Sequence, residues 1–495
     1  MSIGRVGDRV RDPTVLLTAS LTTAGAIAVA AGGWWRTIAV GAATAGLGGA
    51  LVSVVVSRRG LRGVLFVEAP VLLLLVSNLV WRVRTTDQIA ADPLDAAGQL
   101  RVGLAGLAGF LAVLALAWPG RAAAEPRPGP TSLPFWLYMA YVVVVFAGAP
   151  LSVQPLLTAY RGVELATAGL VLVAACRSVG QEAIERIGTT LYWFVVALTA
   201  AVWAGAALFP AKAFEPLLNQ ASPVSWNLSG VYPSIAPNGV GTLGVTLAIW
   251  SLARVGEPGR DRRPRPATLY LLAGMGAVTL LASQYRTGYI ALAVGLAALL
   301  ALRSRWMLLL VLVLGIAVSL VFVTPARVRE AAPYLLRGQT VEEVRGLTSR
   351  VEWWRASIPV WRKSPLIGRG LLTGTRFEVL ARLGLRDTGG IHSTWVEVLV
   401  GTGLIGLGLF LASLLVSLRR ALALALGRRG ATVPLLLLLV LSVRGLTGNT
   451  FESFQGLETV LYLWLALSLG NAARAWLAEP DPALARAPVP TVRPR

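Results

Sequence analysis

Apolar runs recur along this chain, and most are long enough to cross the roughly 30 Å hydrocarbon core of a bilayer as a helix. The composition agrees, since 55% of the 495 residues are hydrophobic, only 14% are charged and the mean hydropathy is +0.68. Strands of a membrane barrel would instead show alternating segments of about ten residues. We therefore predict an all-α integral membrane protein, a polytopic bundle of about 12–14 transmembrane helices with one large, partly helical external loop.

The apolar runs also predict where the helices begin. The expected starts lie near Thr14, Trp35, Gly63, Gly98, Leu133, Leu156, Thr189, Asn238, Ala267, Thr287, Trp306, Ser393, Val433 and Leu457. The first two runs are weak because they are rich in alanine and glycine. The resulting regions are N-terminal transmembrane helices (1–236), central transmembrane helices with the turn SQYRTG (237–324), the large external loop (325–391), C-terminal transmembrane helices (392–476) and a cytoplasmic tail (477–495), which we expect to be disordered.

The net charge of +21 would suit a nucleic-acid partner, but its distribution indicates a membrane protein instead. Arginines concentrate in alternate short loops, and this basic set includes both termini. The positive-inside rule then places both termini in the cytoplasm and predicts a multi-pass protein of the cytoplasmic (inner) membrane. The long external loop carries 12 Lys and Arg residues. Such a basic lobe suits an anionic ligand or a lipid headgroup.

The stretch DTGGIHSTW contains the single histidine of the chain, His392. Imidazole titrates near neutral pH, so His392 is a candidate general base at the external surface. The preceding Gly389 and Gly390 would allow a close approach of the backbone. The alternative is an incidental polar residue at a helix entrance, satisfied by local hydrogen bonds.

Several arginines and carboxylates lie in or near the apolar runs, where ionisable groups are costly and are functional candidates. Arg286 in SQYRTG either extends to the headgroups or binds a phosphate. Glu68, Glu164, Glu397 and Arg444 suit either function or structural pairing, and Arg444 with Glu452 is one pair to test.

The external loop is expected to contain a helix capped by Thr348 or Ser349. Its apolar face would carry Val351, Trp354, Ile358 and Trp361. Its exposed face would carry Arg350, Glu352, Arg355, Arg362 and Lys363. On its own, Arg350 is more simply a solvated residue of that face.

Three motifs in order resemble the O-antigen ligase and polymerase family. They are LLASQYRTGYIALAV, LTSRVEWWRASIPVWRKSPLIGRG and IHSTWVEVLVGTGLIGLGLF, and PSIAPNGVGTLGV is also similar. The sequence departs from the family pattern at Ser349, Ser393 and Gly401, where Gly, Asn and Glu are usual. The resemblance covers roughly 233–416.

This resemblance implies a membrane-embedded C-type glycosyltransferase. Because two arginines can stabilise a diphosphate leaving group and the external segments offer no convincing cluster of metal ligands, we expect one-step displacement with inversion, without metal or cofactor. By motif position, His392 would be the general base, and Arg286 and Arg350 would hold the diphosphate. Arg355, Ser393, Glu397 and Arg444 are possible supporting residues.

The implied partners are a polyprenyl-diphosphate-linked glycan donor, a glycan or lipid acceptor and membrane lipids, with other proteins of envelope polysaccharide assembly possible. A ligase and a polymerase remain open. A transporter or flippase of lipid-linked glycans is the alternative, although no internal repeat of the kind common in transporters is visible. A non-catalytic scaffold for envelope assembly is a third possibility.

Overall fold

The computed structural model describes residues 63–79, 95–117, 132–180, 182–216, 224–255, 264–304, 350–385, 390–427, 432–453 and 456–478, and isolated positions at 88, 306, 309 and 313. Its helices are α1 (Ala69–Ser77), α2 (Ala96–Ala117), α3 (Leu133–Gly148), α4 (Pro155–Val179), α5 (Glu182–Leu208), α6 (Pro210–Ala213), α7 (Pro237–Val255), α8 (Pro266–Ser283), α9 (Arg286–Arg303), α10 (Arg350–Trp361), α11 (Thr394–Leu426), α12 (Val433–Thr447) and α13 (Leu457–Ala478). Strand β1 (Phe214–Pro216) pairs with β2 (Trp226–Leu228) in a short antiparallel sheet.

The described residues form a polytopic bundle of α-helices typical of a membrane protein, as predicted. Seven of its helical segments are long and apolar enough to span a bilayer: Gly98–Ala117, Leu133–Leu151, Pro155–Val179, Glu182–Leu208, Pro266–Ser283, Arg286–Arg303 and Thr394–Leu426. Shorter apolar helices cover Val64–Ser77, Val433–Thr447 and Leu457–Gly470.

Most predicted helix starts are confirmed to within a few residues. The main exception is α5, which begins at Glu182 rather than near Thr189. Its first turns are stable because Arg186 lies 2.8 Å from Glu182 one turn earlier and 3.6 Å from Glu68. The starts near Thr14 and Trp35 lie outside the described residues, as does most of the helix expected from Trp306.

Helix α7 is the buried centre of one half of the bundle, because nearly every side chain from Val240 to Ser251 is inaccessible to solvent. It packs against α5, α8, α9 and α12. Its closest neighbour is α8, since a Cβ on Gly244 would lie 2.7 Å from the Gly276 carbonyl oxygen. Small residues at such a contact let two membrane helices approach closely.

A second cluster joins α3, α11 and α13 through aromatic rings. Phe451 stacks on Phe410 at 5.0 Å and on Tyr462 at 4.2 Å between ring centroids. From α3, the Tyr138 hydroxyl donates to the Phe451 carbonyl, and the Tyr141 hydroxyl donates to the Glu452 carbonyl at 2.6 Å. These contacts fix the turn that follows α12.

Helix α11 is interrupted at Gly403, where φ is +64° and ψ is −164°. The external loop closes the interruption: Leu404 N–H donates to the Pro365 carbonyl at 2.8 Å, and Arg369 N–H donates to the Val400 carbonyl at 2.8 Å. The backbone groups freed by the break are thus satisfied by the loop, as the apolar environment requires. The loop segment 365–370 is therefore hydrogen-bonded to the interior of a membrane helix.

The helix in the external loop is present, but its predicted faces are partly wrong. Ser357 and Val360 are buried, whereas Ile358 is 43% exposed. The buried stripe runs through these residues because α10 packs on Val379, Ile391 and Val400. Thr348 and Ser349, the expected caps, lie outside the described residues.

The break in α11 yields a test of stability. At the φ and ψ of Gly403 only glycine is unstrained, and a Cβ there would lie 2.3 Å from the Leu366 carbonyl carbon. We expect Gly403→Ala to lower the free energy of unfolding by at least about 1–3 kcal/mol, measured by thermal unfolding of the purified protein. Gly408→Ala is the matched control, because a Cβ at Gly408 meets no atom within 4 Å. Equal stability of the two variants would contradict the assigned role of the break.

Candidate functional site

Four segments from distant parts of the sequence meet at one end of the bundle. They are the start of α9, the described residues of α10 from Arg350, the segment 390–393 before α11, and the turn 447–453 after α12. The Thr447 carbonyl accepts from Arg350 Nη1 at 3.1 Å, while the Thr447 and Thr287 hydroxyls are 2.6 Å apart. Thr394 N–H donates to the Gly448 carbonyl at 3.1 Å. The turn 447–453 is thus the hub that joins the predicted site segments.

His392 is held in an unusual backbone conformation within this site. Its φ is +54°, a left-handed value that is strained for a residue with a Cβ. The preceding carbonyl, of Ile391, accepts from Trp354 Nε1 at 3.2 Å. The Trp353 ring lies 6.0 Å from the imidazole between centroids. Helix α10 therefore contacts both His392 and the residue before it.

The surroundings of His392 favour the neutral imidazole. Burial, followed by the positive charges of Arg350 and Arg444, lowers the pKa of His392 from 6.5 to about 4. Burial also lowers the pKa of Arg350, which nevertheless remains a cation at physiological pH because free guanidinium is so basic. At neutral pH the site therefore combines an uncharged imidazole with guanidinium groups.

The buried side chain of Glu452 accepts hydrogen bonds that hold the turn 447–453 in place. Glu452 accepts from Thr450 N–H at 2.7 Å and from the Thr394 hydroxyl at 2.8 Å. Burial raises the pKa of Glu452, although both of these hydrogen bonds oppose the rise. Its second oxygen, Oε1, has no hydrogen-bond partner among the described residues.

Arg444 binds three groups on three elements. Its Nε donates to the Thr242 hydroxyl of α7 at 2.6 Å, and its Nη1 donates to the Asn449 carbonyl. Its ion pair is with Glu458, at 3.2 Å. Among the described residues, Arg444 forms its ion pair with Glu458 of α13 and not with the suggested Glu452, although the positive charge of Arg444 still acts to lower the pKa of Glu452.

Arg286 and Arg350 lie in two of the segments that contact Thr447. Arg286 is the first residue of α9, directly before Thr287, which contacts the hub. Arg350, expected on the exposed face of α10, is instead half-buried and turned toward the turn 447–453. Both arginines therefore belong to segments that meet beside His392.

The possible supporting residues have different surroundings. Ser393 is buried and precedes α11, without a side-chain capping bond. Arg355 is exposed on α10. Gly389 lies outside the described residues, and a Cβ on Gly390 would lie 3.1 Å from Asn449 Oδ1. Gly390 therefore lies close to Asn449 of the turn, a close approach of the backbone that its missing side chain allows.

Glu397 connects the external loop to α11. It is fully buried and accepts from Leu372 N–H and from the Thr375 hydroxyl, both at 2.7 Å. A second carboxylate, Glu378, lies 2.7 Å from Lys363 and 2.9 Å from Arg369. Burial opposes ionisation of Glu378, but these two hydrogen bonds lower its pKa overall. Both carboxylates fix the loop that carries α10, so Glu397 supports the site at a distance.

The family comparison covers a large part of this site. Residues 271–411 match the family model described as O-Antigen ligase. Residues 271–411 are therefore similar to the O-antigen ligase family. This segment includes Arg286, Arg350 and His392, whereas Arg444 and the turn 447–453 follow it. The resemblance seen in the motifs is thus confirmed, and it supports a glycosyltransferase-type enzyme. No curated protein matches the chain.

Because His392 is the single histidine of this O-antigen ligase-like chain, its pKa can be measured directly. With isotope-labelled histidine, we expect the NMR titration midpoint of His392 at about pH 4. Arg444→Gln should move the midpoint upward, because one of the charges that disfavours imidazolium is removed. Arg355→Gln is the control and should leave it unchanged. A midpoint at or above 6.5 in the native protein would contradict the described electrostatics.

Proposed function

We propose that this protein transfers a glycan from a polyprenyl diphosphate carrier to an acceptor hydroxyl at the outer face of the cytoplasmic membrane. The observation that carries the proposal is the convergence of His392, Arg350 and Arg444 at one end of the bundle, with Arg286 beginning the adjacent α9. The match of residues 271–411 to the O-antigen ligase family supports the same reaction class.

The proposed reaction is a single displacement at the anomeric carbon. The acceptor hydroxyl oxygen forms the new glycosidic bond while the bond from the anomeric carbon to the diphosphate oxygen breaks. His392 takes the hydroxyl proton, and polyprenyl diphosphate leaves with the electron pair. Because the leaving group is already stable as an anion, no general acid is needed, unlike in glycoside hydrolysis. One displacement inverts the anomeric configuration.

The arginines are suited to hold the diphosphate of the donor. Guanidinium groups bind phosphate oxygens in pairs and stay charged at any physiological pH. Arg350 is partly buried at the hub, where a charge interacts more strongly than in bulk water. We assign Arg286 and Arg350 to the diphosphate, since Arg350 contacts Thr447 directly and Arg286 directly precedes Thr287, which also contacts Thr447. These positive charges oppose the negative charge that develops on the leaving group.

The low basicity of His392 links base catalysis to donor binding. Without a donor, Arg350 and Arg444 act against protonation of the imidazole. A diphosphate on the arginines would offset those charges and raise the pKa of His392 toward that of free imidazole. The imidazole then becomes a stronger base when the donor is in place, which limits proton removal to the loaded enzyme.

A ligase and a polymerase differ in the acceptor that receives the glycan. A ligase passes the glycan to a lipid or another acceptor, whereas a polymerase passes it to the next lipid-linked unit. Deleting the gene and sizing the surface glycans distinguishes them. Loss of long chains with single repeats kept indicates a polymerase. Accumulation of long lipid-linked chains indicates a ligase.

Replacing the base tests the reaction itself. We expect His392→Ala to reduce glycan transfer from a purified lipid-linked donor by about 10²–10⁴-fold, because proton removal in the transition state is lost. Binding of the donor should persist, since the arginines remain. Transfer at the native rate would exclude His392 as the base. Movement of the donor across a bilayer without a new glycosidic bond would indicate a transporter instead.

Replacing one arginine tests donor recognition. We expect Arg350→Gln to weaken binding of polyprenyl diphosphate by about 10–100-fold, as for loss of one charge-assisted hydrogen bond. Arg355→Gln is the matched control, because Arg355 is an exposed arginine on the same helix α10. Equal affinities of the native protein and Arg350→Gln would remove the assigned role of Arg350.

A further inference from the structure

Three cationic side chains of the external loop share one buried carboxylate. The Glu378 side chain is 6% exposed and lies 2.7 Å from Lys363 Nζ, 2.9 Å from Arg369 Nε and 3.7 Å from Arg382 Nη2. Among the described residues, these three cations form no ion pair with any other carboxylate. Three positive charges against one negative charge leave this group with a surplus of positive charge.

The surplus charge is accessible from outside the protein. The side chains of Lys363 and Arg382 are 42% and 59% exposed. Both contact the same oxygen, Glu378 Oε2, so their charges are close enough for one phosphate group to meet both. Arg369 uses Nε for Glu378, which leaves its two terminal nitrogens for further acceptors. Glu378 thus holds the cations together without neutralising them.

The backbone places this group near the boundary of the bilayer. On one side of the break in α11, Arg369 N–H donates to the Val400 carbonyl at 2.8 Å. On the other side, Ile405 N–H donates to the Leu366 carbonyl at 3.1 Å. Residues 404–426 of α11, after the break, extend about 34 Å at the rise of an α-helix. Because this part alone can cross the roughly 30 Å hydrocarbon core, the break and the loop segment bound to it lie at the level of the headgroups.

Exposed apolar side chains lie beside the charges, on the side of the hydrocarbon core. Leu366 is 57% exposed, and Leu404 and Ile405, the first residues of α11 after the break, are 49% and 46% exposed. Leu366 follows Lys363 by only three residues. A ligand with an anionic group on the cations would therefore lay an apolar chain along these leucine and isoleucine side chains. A phospholipid with an anionic headgroup has both parts.

From these contacts we infer that the three cations around Glu378 bind the anionic headgroup of a membrane glycerophospholipid. The ammonium and guanidinium groups hold phosphate oxygens, while Glu378 fixes the direction of Arg369. A bound lipid then fastens the external loop, and with it α10, to the membrane surface. This site is separate from the one around His392, because α10, which is about 18 Å long, lies between them. The inference does not rest on the proposed glycan transfer.

The test compares two lipids that differ in the headgroup. Full-length purified protein in detergent is titrated with phosphatidylglycerol and with diacylglycerol of the same acyl chains, and binding is followed by native mass spectrometry and thermal unfolding. We expect phosphatidylglycerol to bind and to raise the unfolding temperature, and diacylglycerol to do neither. Equal binding of both lipids would overturn the inference. Equal stabilisation by inorganic phosphate alone would overturn the assignment to a lipid.

Substitutions of the exposed cations locate the binding. Arg382→Gln should weaken binding of phosphatidylglycerol about fivefold, and Lys363→Gln combined with Arg382→Gln about 20-fold, as for loss of one or two positive charges near a membrane surface. Arg355→Gln is the matched control, because it removes the same charge from an exposed position of the same loop that does not contact Glu378. Its affinity should equal that of the native protein.

Equal affinities of the native protein and the double variant would overturn the site. If the double variant does not fold, Arg382→Gln alone decides by the same criterion, because most of the Arg382 side chain lies in solvent. A loss of affinity in Arg355→Gln as large as that in Arg382→Gln would also overturn the site, since the attraction would then come from the charge of the whole loop.

Discussion

The hydrogen bonds between the external loop and the broken helix α11 are the contacts on which the site depends. A bilayer offers no water to an interrupted helix, so the backbone groups around Gly403 need partners from the protein. The segment 365–370 supplies them: its Pro365 carbonyl accepts from Leu404 N–H, and its Arg369 N–H donates to the Val400 carbonyl. Once this segment is fixed, Glu397 and Glu378 hold the following turns of the loop. The loop also carries α10, which brings Arg350 and the two tryptophans to His392.

At the site, a neutral imidazole lies near guanidinium groups that remain charged at physiological pH. His392 is kept uncharged by burial, Arg350 and Arg444, and its backbone is strained at a positive φ. Such strain persists only where surrounding contacts determine the conformation. Here Trp354 on one side and the turn 447–453 on the other provide those contacts. In the proposed reaction, this arrangement would favour binding of the anionic donor before removal of a proton from the acceptor.

Periodicity and charge in the sequence predicted the class of fold, most helix starts and the segments that form the site, because membrane helices must be apolar and about one bilayer long. Contacts between distant segments could not be predicted in this way. Ile358 fits a helical stripe, yet α10 is rotated so that Val360 is buried instead. From the sequence, Arg350 resembles a solvated residue, because its contact with Thr447 is visible only once α10 is placed against the turn after α12. Thr394, Thr447 and Thr450 carry no motif, because small polar residues become informative only when their partners are known. For Thr447 and Thr450, the one available sign in the sequence was their place in the short polar stretch TGNTFESFQG between two apolar runs.

The stereochemistry of the product tests the central claim most directly. Purified protein would be given a synthetic polyprenyl diphosphate glycan of defined anomeric configuration and an acceptor, and the product would be analysed by NMR and mass spectrometry. Direct displacement gives a new glycosidic bond of inverted configuration, with one polyprenyl diphosphate released per bond. Retention of configuration, or release of free sugar without an acceptor bond, would contradict direct displacement at the site around His392.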